Sequence, residues 1–436
     1  MAVEEIIRYL ICFLLGEQNA GYVEQVAYGM DTDAKVVVVP SVFFKTGVYM
    51  TPASIPHLPL KEVEGVPVLF GNGQIVRKSC QIVVYADIIA STYFLITRYE
   101  ECLNQRDRDQ YGRFIGKKSL PYQAGFLMRP VVEEYGQLLR GWLREAGACV
   151  SEPCQDYGHI YLTHDVDQIC QSNNLYRAMR KVAWKMIHRE EGIMDVMKAW
   201  SDYERNDKVY QAFRWLADMD ISTADVFGHE KCTGVYFVKG GGREPADNLY
   251  YKNTERVKKL LYYLKERNMK FGLHTSMSAG IRPQKVLEEK EALEKVLGEK
   301  IFWNRNHYLC SKEPGDMEYL ISAGITDDFT MGYADVTGFR LGTCRAVRWI
   351  NPNRRKLTSL TLHPLTVMEV TLDNYMGLKE EDAFSIICRM LKIIKQYHGE
   401  TVLLWHNTSV ADSDVKYYRK VYERTLNTLK NNKMFN

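Results

Sequence analysis

The stretch "YLTHDVDQIC", residues 161–170, runs an apolar, β-rich segment into two aspartates, Asp165 and Asp167, with His164 directly before the first. A carboxylate is costly to bury unless it is paired or bound to a cation. A strand that enters a core and ends in two of them is therefore expected to deliver them to a site. Segments of the same kind recur downstream: "HIYLT" (159–163), "GVYFV" (234–238), "MKFGLH" (269–274), "KIFWNR" (300–305), "GITDDF" (324–329), "LTSLTLH" (357–363) and "TVLLWH" (401–406). Helical stretches such as "TERVKKLLYYLKERN" and "EEDAFSIICRMLKIIKQYH" separate most of them. Strands divided by helices imply parallel pairing through right-handed crossovers, and about seven such units close more readily than they stay open. The expected fold is α/β, a distorted (β/α)7-type barrel over residues 156–436.

Upstream the pattern differs. Short β-rich runs, "AKVVVVPSVFF" (34–44) and "VPVLFG" (66–71), precede "IVVYADIIASTYFLITRYEECL" (82–103), which has the length of an amphipathic helix. Another helix is expected from Pro130, at an N1-like position, to a stop at Gly147. The polar, Pro-containing "ACVSEPCQDYG" then marks a boundary near residue 155, so residues 1–155 are expected to form a smaller N-terminal α+β domain. The connection between the first two barrel strands, about 168–232, reads largely as helix and is expected to lie over the active site.

At 436 residues, with 57 basic and 54 acidic side chains and a net charge of +3, the chain requires no polyelectrolyte partner, and nucleic acid is not implied. Ten cysteines without a CxxC pair suggest a reducing, cytoplasmic setting. The apolar run "IIRYLICFLL" (6–15) is interrupted by Arg8 and reads as a buried element. No run reaches the ~20 apolar residues of a spanning helix. The basic segment from Arg177 to Arg189 reads as a solvated helix face, with peripheral contact at an inner membrane as the alternative.

In a parallel barrel the active site lies at the carboxyl ends of the strands. Those ends carry Asp165 and Asp167, then His274, His307, Asp327 with Asp328, and finally His406. Convergent Asp and His point to metal-assisted hydrolysis. Of two aspartates two residues apart, one can ligate a metal while the other acts as base. Neutral imidazoles complete such a site, most readily for Zn2+, and a further histidine can protonate a leaving group.

The motifs "LTHDVD", "FGLHTS", "GFRLGTC" and "LLWH" resemble those of the polysaccharide deacetylases, carbohydrate esterase family 4 in the broad sense, and in particular a divergent bacterial branch with an extra N-terminal domain. The stretches "RYEE" and "RNHYL" resemble features of that branch. The similarity spans residues from about 158 to 410 in order. It implies a divalent metal, most simply Zn2+, and an N-acetylated glycan as substrate. By the same resemblance Asp165 is the base, Asp167 and His274 are metal ligands, Arg340 orients the base, and His406 is the general acid. Asp328 and Tyr333 are then expected to touch the substrate, and Glu369 or Asp373 to orient His406. One departure stands out: the family places two histidines four apart, yet the position four after His274 is Ser278. His307 is the candidate to restore an Asp-His-His site.

Plainer readings stand beside these. Asp is a favoured N-cap, which accounts for one aspartate of the pair but not both. His274 and His406 could be core histidines, and Arg340 could pair with Asp335 or Asp328. His164 and His363 read as residues that support the site from behind or pack in the core, and Gly240–Gly242 as a flexible rim loop without phosphate-binding spacing. Two further functions stay open. One is a catalytically inactive barrel that binds glycan or a partner protein, motivated by Ser278; the other is hydrolysis of a non-sugar amide.

Overall fold

The structure is a computed structural model that describes residues 2–30, 33–169, 207–247, 255–282, 284–312, 315–411 and 416–434. The basic segment at 177–189 lies outside the described residues. The chain forms two compact units. The first comprises Met1–His159, Tyr308–Gly377 and Arg389–Val402; the second comprises Ile160–His307, Leu378–Cys388 and Leu403–Asn436. The chain leaves the first unit after His159 and later returns to it.

The first unit opens with helix α1 (Ala2–Leu15), which buries Ile6, Leu10, Ile11, Leu14 and Leu15 along one stripe. Strands β1 (Val26–Tyr28), β2 (Val36–Val38), β3 (Gly71–Arg77) and β4 (Ile82–Ala86) form a sheet in the order β1-β2-β4-β3. The expected single helix over 82–103 is instead β4 followed by helix α2 (Ile88–Ile96). The division falls at Asp87, whose carboxylate caps α2 by accepting from Ala90 N at 2.9 Å. Every residue of α2 is buried, so the segment has no polar stripe to keep. Helix α3 (Val131–Glu145) follows Pro130, which sits at the N-cap rather than the first turn.

In the second unit, β5 (His159–Val166), β6 (Cys232–Val238), β7 (Lys270–Thr275) and β8 (Trp303–Asn306) pair in parallel in that order. Helices α4 (Lys208–Phe227), α5 (Glu255–Lys265) and α6 (Lys285–Leu297) alternate with them. Both faces of these strands are covered, and β6 and β7 end in unbroken buried runs, as parallel strands do.

On returning to the first unit the chain forms β9 (Asp327–Met331), β10 (Val347–Asn351) and β11 (Lys356–Pro364), with β9 parallel and β10 antiparallel to β11. Asp327 and Asp328 therefore open a strand instead of closing one, which corrects their expected place at a carboxyl end. The last strand, β12 (Glu400–Leu404), leads into Trp405 beside β5, where Trp405 N donates to Thr163 O at 3.0 Å and Thr163 Oγ1 donates to Leu403 O at 2.6 Å. The second unit is then a parallel-sheet α/β layer in the order β5-β6-β7-β8, with Leu403 and Leu404 of β12 beside β5. A closed barrel is not seen among the described residues.

Side chains alternate across β5. His164 faces α4, its Nδ1 donating to Trp405 O at 2.8 Å and its Nε2 lying 2.9 Å from Asp220 Oδ2. Tyr422, on helix α7 (Tyr418–Met434), donates to the other Asp220 oxygen at 2.7 Å. This is the packing role expected of His164. Thr163 and Asp165 face the opposite side.

His363 on β11 stands between Glu400 Oε2 at 2.7 Å and Asp327 Oδ1 at 3.0 Å, with its ring stacked on Phe329. Burial opposes its charge, but the two carboxylates outweigh burial and push its pKa up to about 9. A raised histidine pKa stabilises the fold fully below the unfolded value and loses that contribution as pH climbs through the folded one. Between about pH 6.5 and 9, melting should therefore reveal a loss of about 3 kcal/mol at most. His363→Gln should flatten that decline; an unchanged slope would refute the assignment.

Candidate metal centre

Parallel pairing brings the carboxyl ends of β5, β6, β7 and β8 to one edge, and each contributes a polar side chain there. Asp167 follows β5, Lys239 follows β6, His274 lies in β7, and His307 follows β8. His406 joins them beyond β12. Asp167 Oδ1 lies 3.4 Å from His274 Nε2 and 3.1 Å from His307 Nε2. Ligand atoms held at about 2.0–2.2 Å from one tetrahedral ion stand roughly 3.3–3.5 Å apart. The three atoms lie within 4.8 Å of one another, so Asp167, His274 and His307 fit a single ion.

The donor chemistry fits as well. His274 Nδ1 lies 2.9 Å from Arg305 O, its neighbour in register on β8, and must donate to that carbonyl. This leaves the Nε2 lone pair pointing at the centre, buried and without a hydrogen bond. Burial pushes the imidazole below its ordinary pKa despite the charges of Asp165 and Asp167, which favours the neutral ligand form. For Asp167, burial alone would raise the carboxyl, but His274, His307 and Lys239 hold it well below the usual carboxylate range. His307 is shifted upward: burial opposes its charge, and Asp167 and Asp247 prevail. Asp167 and His274 are thus held in their acceptor forms, as ligands of a cation require, while His307 would give up its extra proton on binding one.

Asp165 stands beside this set and outside it. Its Oδ1 accepts from Arg305 at 3.1 Å, while its Oδ2 lies 3.7 Å from His274 Nε2 and 3.9 Å from His406 Nε2. His406 Nε2 is also 3.7 Å from Asp167 Oδ2; these two side chains keep 14% and 22% exposure, so solvent reaches the centre from their side.

The guanidinium at Asp165 belongs to Arg305, which corrects the expectation for Arg340. Arg340 is engaged by both oxygens of Glu101, at 2.9 and 2.6 Å, and donates to Gly332 O at 2.7 Å, all within the first unit. Asp328 and Tyr333 also differ from expectation. Asp328 accepts from Thr330 N and Oγ1 at 3.1 and 2.7 Å, and Tyr333 packs with Phe114, Leu127 and Val336. Both are satisfied inside the first unit, as is fitting for residues at or after the start of β9. Glu369 and Asp373 likewise fall in the first unit.

Three residues at the site were not anticipated. Lys239 Nζ lies 3.0 Å from Asp167 Oδ1, and its position directly after a strand could have revealed it. Arg305 carried a signal in the alternation of "WNRN", which turns it to the same side as Trp303. Asp247 is too far from any strand end to be found by pattern.

A family of unknown function, DUF7033, matches residues 8–148. No curated protein matches the chain. Among solved structures the chain is similar to a protein assigned as a polysaccharide deacetylase from Mycobacterium smegmatis, at 14% identity and a TM-score of 0.38, covering 65% of this chain and 87% of that one. It is similar to PuuE allantoinase at 10% identity and a TM-score of 0.38, covering 64% and 88%. A mutant of a CE4 family pseudoenzyme with restored enzymatic activity aligns at 10% identity and a TM-score of 0.27, covering 65% and 66%. No described helix is long and apolar enough to cross a membrane.

Proposed function

We propose that the chain is a metal-dependent hydrolase that removes acetyl groups from nitrogen, with an N-acetylated sugar of a bacterial surface glycan or its precursor as substrate. The observation that carries this reading is the convergence of Asp167 Oδ1, His274 Nε2 and His307 Nε2 on one point, with Asp165 beside them. Two imidazoles and one carboxylate suit zinc, which when bound supplies Lewis acidity toward the acetyl carbonyl and lowers the pKa of a water. Asp165, steadied by Arg305, would take the proton from an attacking water. His406, whose Nε2 lies 3.9 Å from Asp165 Oδ2 and whose side chain solvent reaches, gives one to the departing amine. The amide bond breaks, acetate leaves, and the sugar amine remains.

One observation favours a second reading, an inactive glycan-binding relative. The Lys239 ammonium, 3.0 Å from Asp167, offsets that carboxylate's charge without any ion. Acetate release from N-acetylhexosamine oligomers separates the two. Activity is expected to disappear on chelation and return with added zinc. Glycan binding by zinc-supplied protein that never releases acetate would favour the second reading.

A further inference from the structure

We propose that Asp247 is a positioning residue that fixes the ring tautomer of His307, and that Ser278 serves Asp247 instead of the metal. The inference rests on the metal-centre reading and concerns how this chain does without a histidine at 278.

Asp247 is fully buried, and both its oxygens face donors. Oδ2 accepts from Arg243 N and Glu244 N at 3.0 Å each, from Ser278 Oγ at 2.8 Å, and from Ser278 N at 3.3 Å. Oδ1 accepts from Met277 N at 2.7 Å and faces His307 Nδ1 at 3.5 Å. An ionised carboxylate can only accept, so a ring proton on His307 Nδ1 is the arrangement that gives Asp247 Oδ1, 3.5 Å away, a donor to face. That assignment leaves Nε2, on the Asp167 side, as the ligating nitrogen, and carboxylate partners of this kind orient metal-bound histidines.

The surrounding chain is built on the same carboxylate. Lys239 Nζ donates to Asp247 O at 2.8 Å, and Arg243 N and Glu244 N also donate to Ser278 Oγ, at 2.6 and 3.1 Å. The glycines before them are packed, which corrects the expected flexible rim loop. A Cβ at Gly240 would lie 2.0 Å from Glu289 O, and Gly242 has φ +118 with no room beside Asp247. A histidine at 278 would remove the hydroxyl that joins this loop to Asp247.

Asparagine at 247 makes the inference sharp. With its oxygen kept among the four donors around Oδ2, its NH2 would face His307 Nδ1, which would then have to accept. The ring proton would move to Nε2 and block ligation. Zinc affinity of the full chain, measured by competition with a chromophoric chelator, tests this. Asp247→Asn is expected to weaken zinc binding about 10–100-fold. The same change in a His307→Ala background is expected to cost nothing further, because Asp247 acts through that ring. Ser278→Ala should weaken binding in the same direction, and Ser278→His should weaken it instead of adding a ligand. Equal losses from Asp247→Asn in both backgrounds, wild-type affinity in Asp247→Asn, or tighter zinc in Ser278→His would each overturn the proposal while leaving the metal centre standing. Wild-type protein with no zinc binding sensitive to His274→Ala would remove the metal reading itself.

Discussion

Asp165→Asn is expected to retain zinc as the wild type does and to lower acetate release about 10²–10⁴-fold. The prediction follows from where Asp165 stands. It does not belong to the Asp167, His274 and His307 set, yet its Oδ2 lies 3.7 Å from His274 Nε2 and 3.9 Å from His406 Nε2. Asparagine keeps the shape and can still accept from Arg305 through its carbonyl oxygen, but it cannot accept the proton of an attacking water. Parallel measurements of bound zinc and of kcat divide the roles. Loss of zinc would make Asp165 a ligand, and retained kcat would place the base elsewhere.

The second large effect belongs to Arg305, and it is one of stability. Its side chain is fully buried, donates to Thr163 Oγ1 at 2.6 Å and Asp165 Oδ1 at 3.1 Å, and lies 4.5 Å over the Phe237 ring. Removing one partner of a buried ion pair leaves the other charge uncompensated, at about 3–5 kcal/mol. Arg305→Met should therefore unfold at lower urea by that amount. Combining it with Asp165→Asn should recover part of the loss, since the orphaned carboxylate is then gone. Strictly additive losses would show that the two side chains are not coupled. Arg340→Met should instead leave kcat of the folded enzyme unchanged, because its partner is Glu101.

The parts of the site that were legible in the sequence were those written at strand ends. Apolar runs such as "HIYLT" and "MKFGLH" ended in Asp or His, and parallel pairing makes such ends neighbours. That placed Asp165, Asp167, His274 and His406 without coordinates. His307 was legible both as a strand-end residue and as the compensation for Ser278. The misplacements have physical causes. Arg340 follows from motif order alone, whereas the alternation of β8 and the burial of Phe237 and Thr163 bring Arg305 to Asp165. "GITDDF" reads as a strand closing in two aspartates because its apolar residues come first, yet the strand begins at Asp327. Residues 82–103 have the length and spacing of one amphipathic helix, yet Asp87 ends β4 and caps α2, which divides them. Asp247 left no periodic trace, since its place depends on a turn held by backbone N–H groups.

The central claim is that one divalent ion sits among Asp167, His274 and His307. Elemental analysis of the full chain after equilibrium dialysis against zinc tests it most directly, with Asp167→Ala, His274→Ala and His307→Ala treated alongside. A single zinc per wild-type chain, diminished in all three variants, is the predicted result. Zinc-free wild-type protein, or an ion retained undiminished by the three variants, would contradict the account.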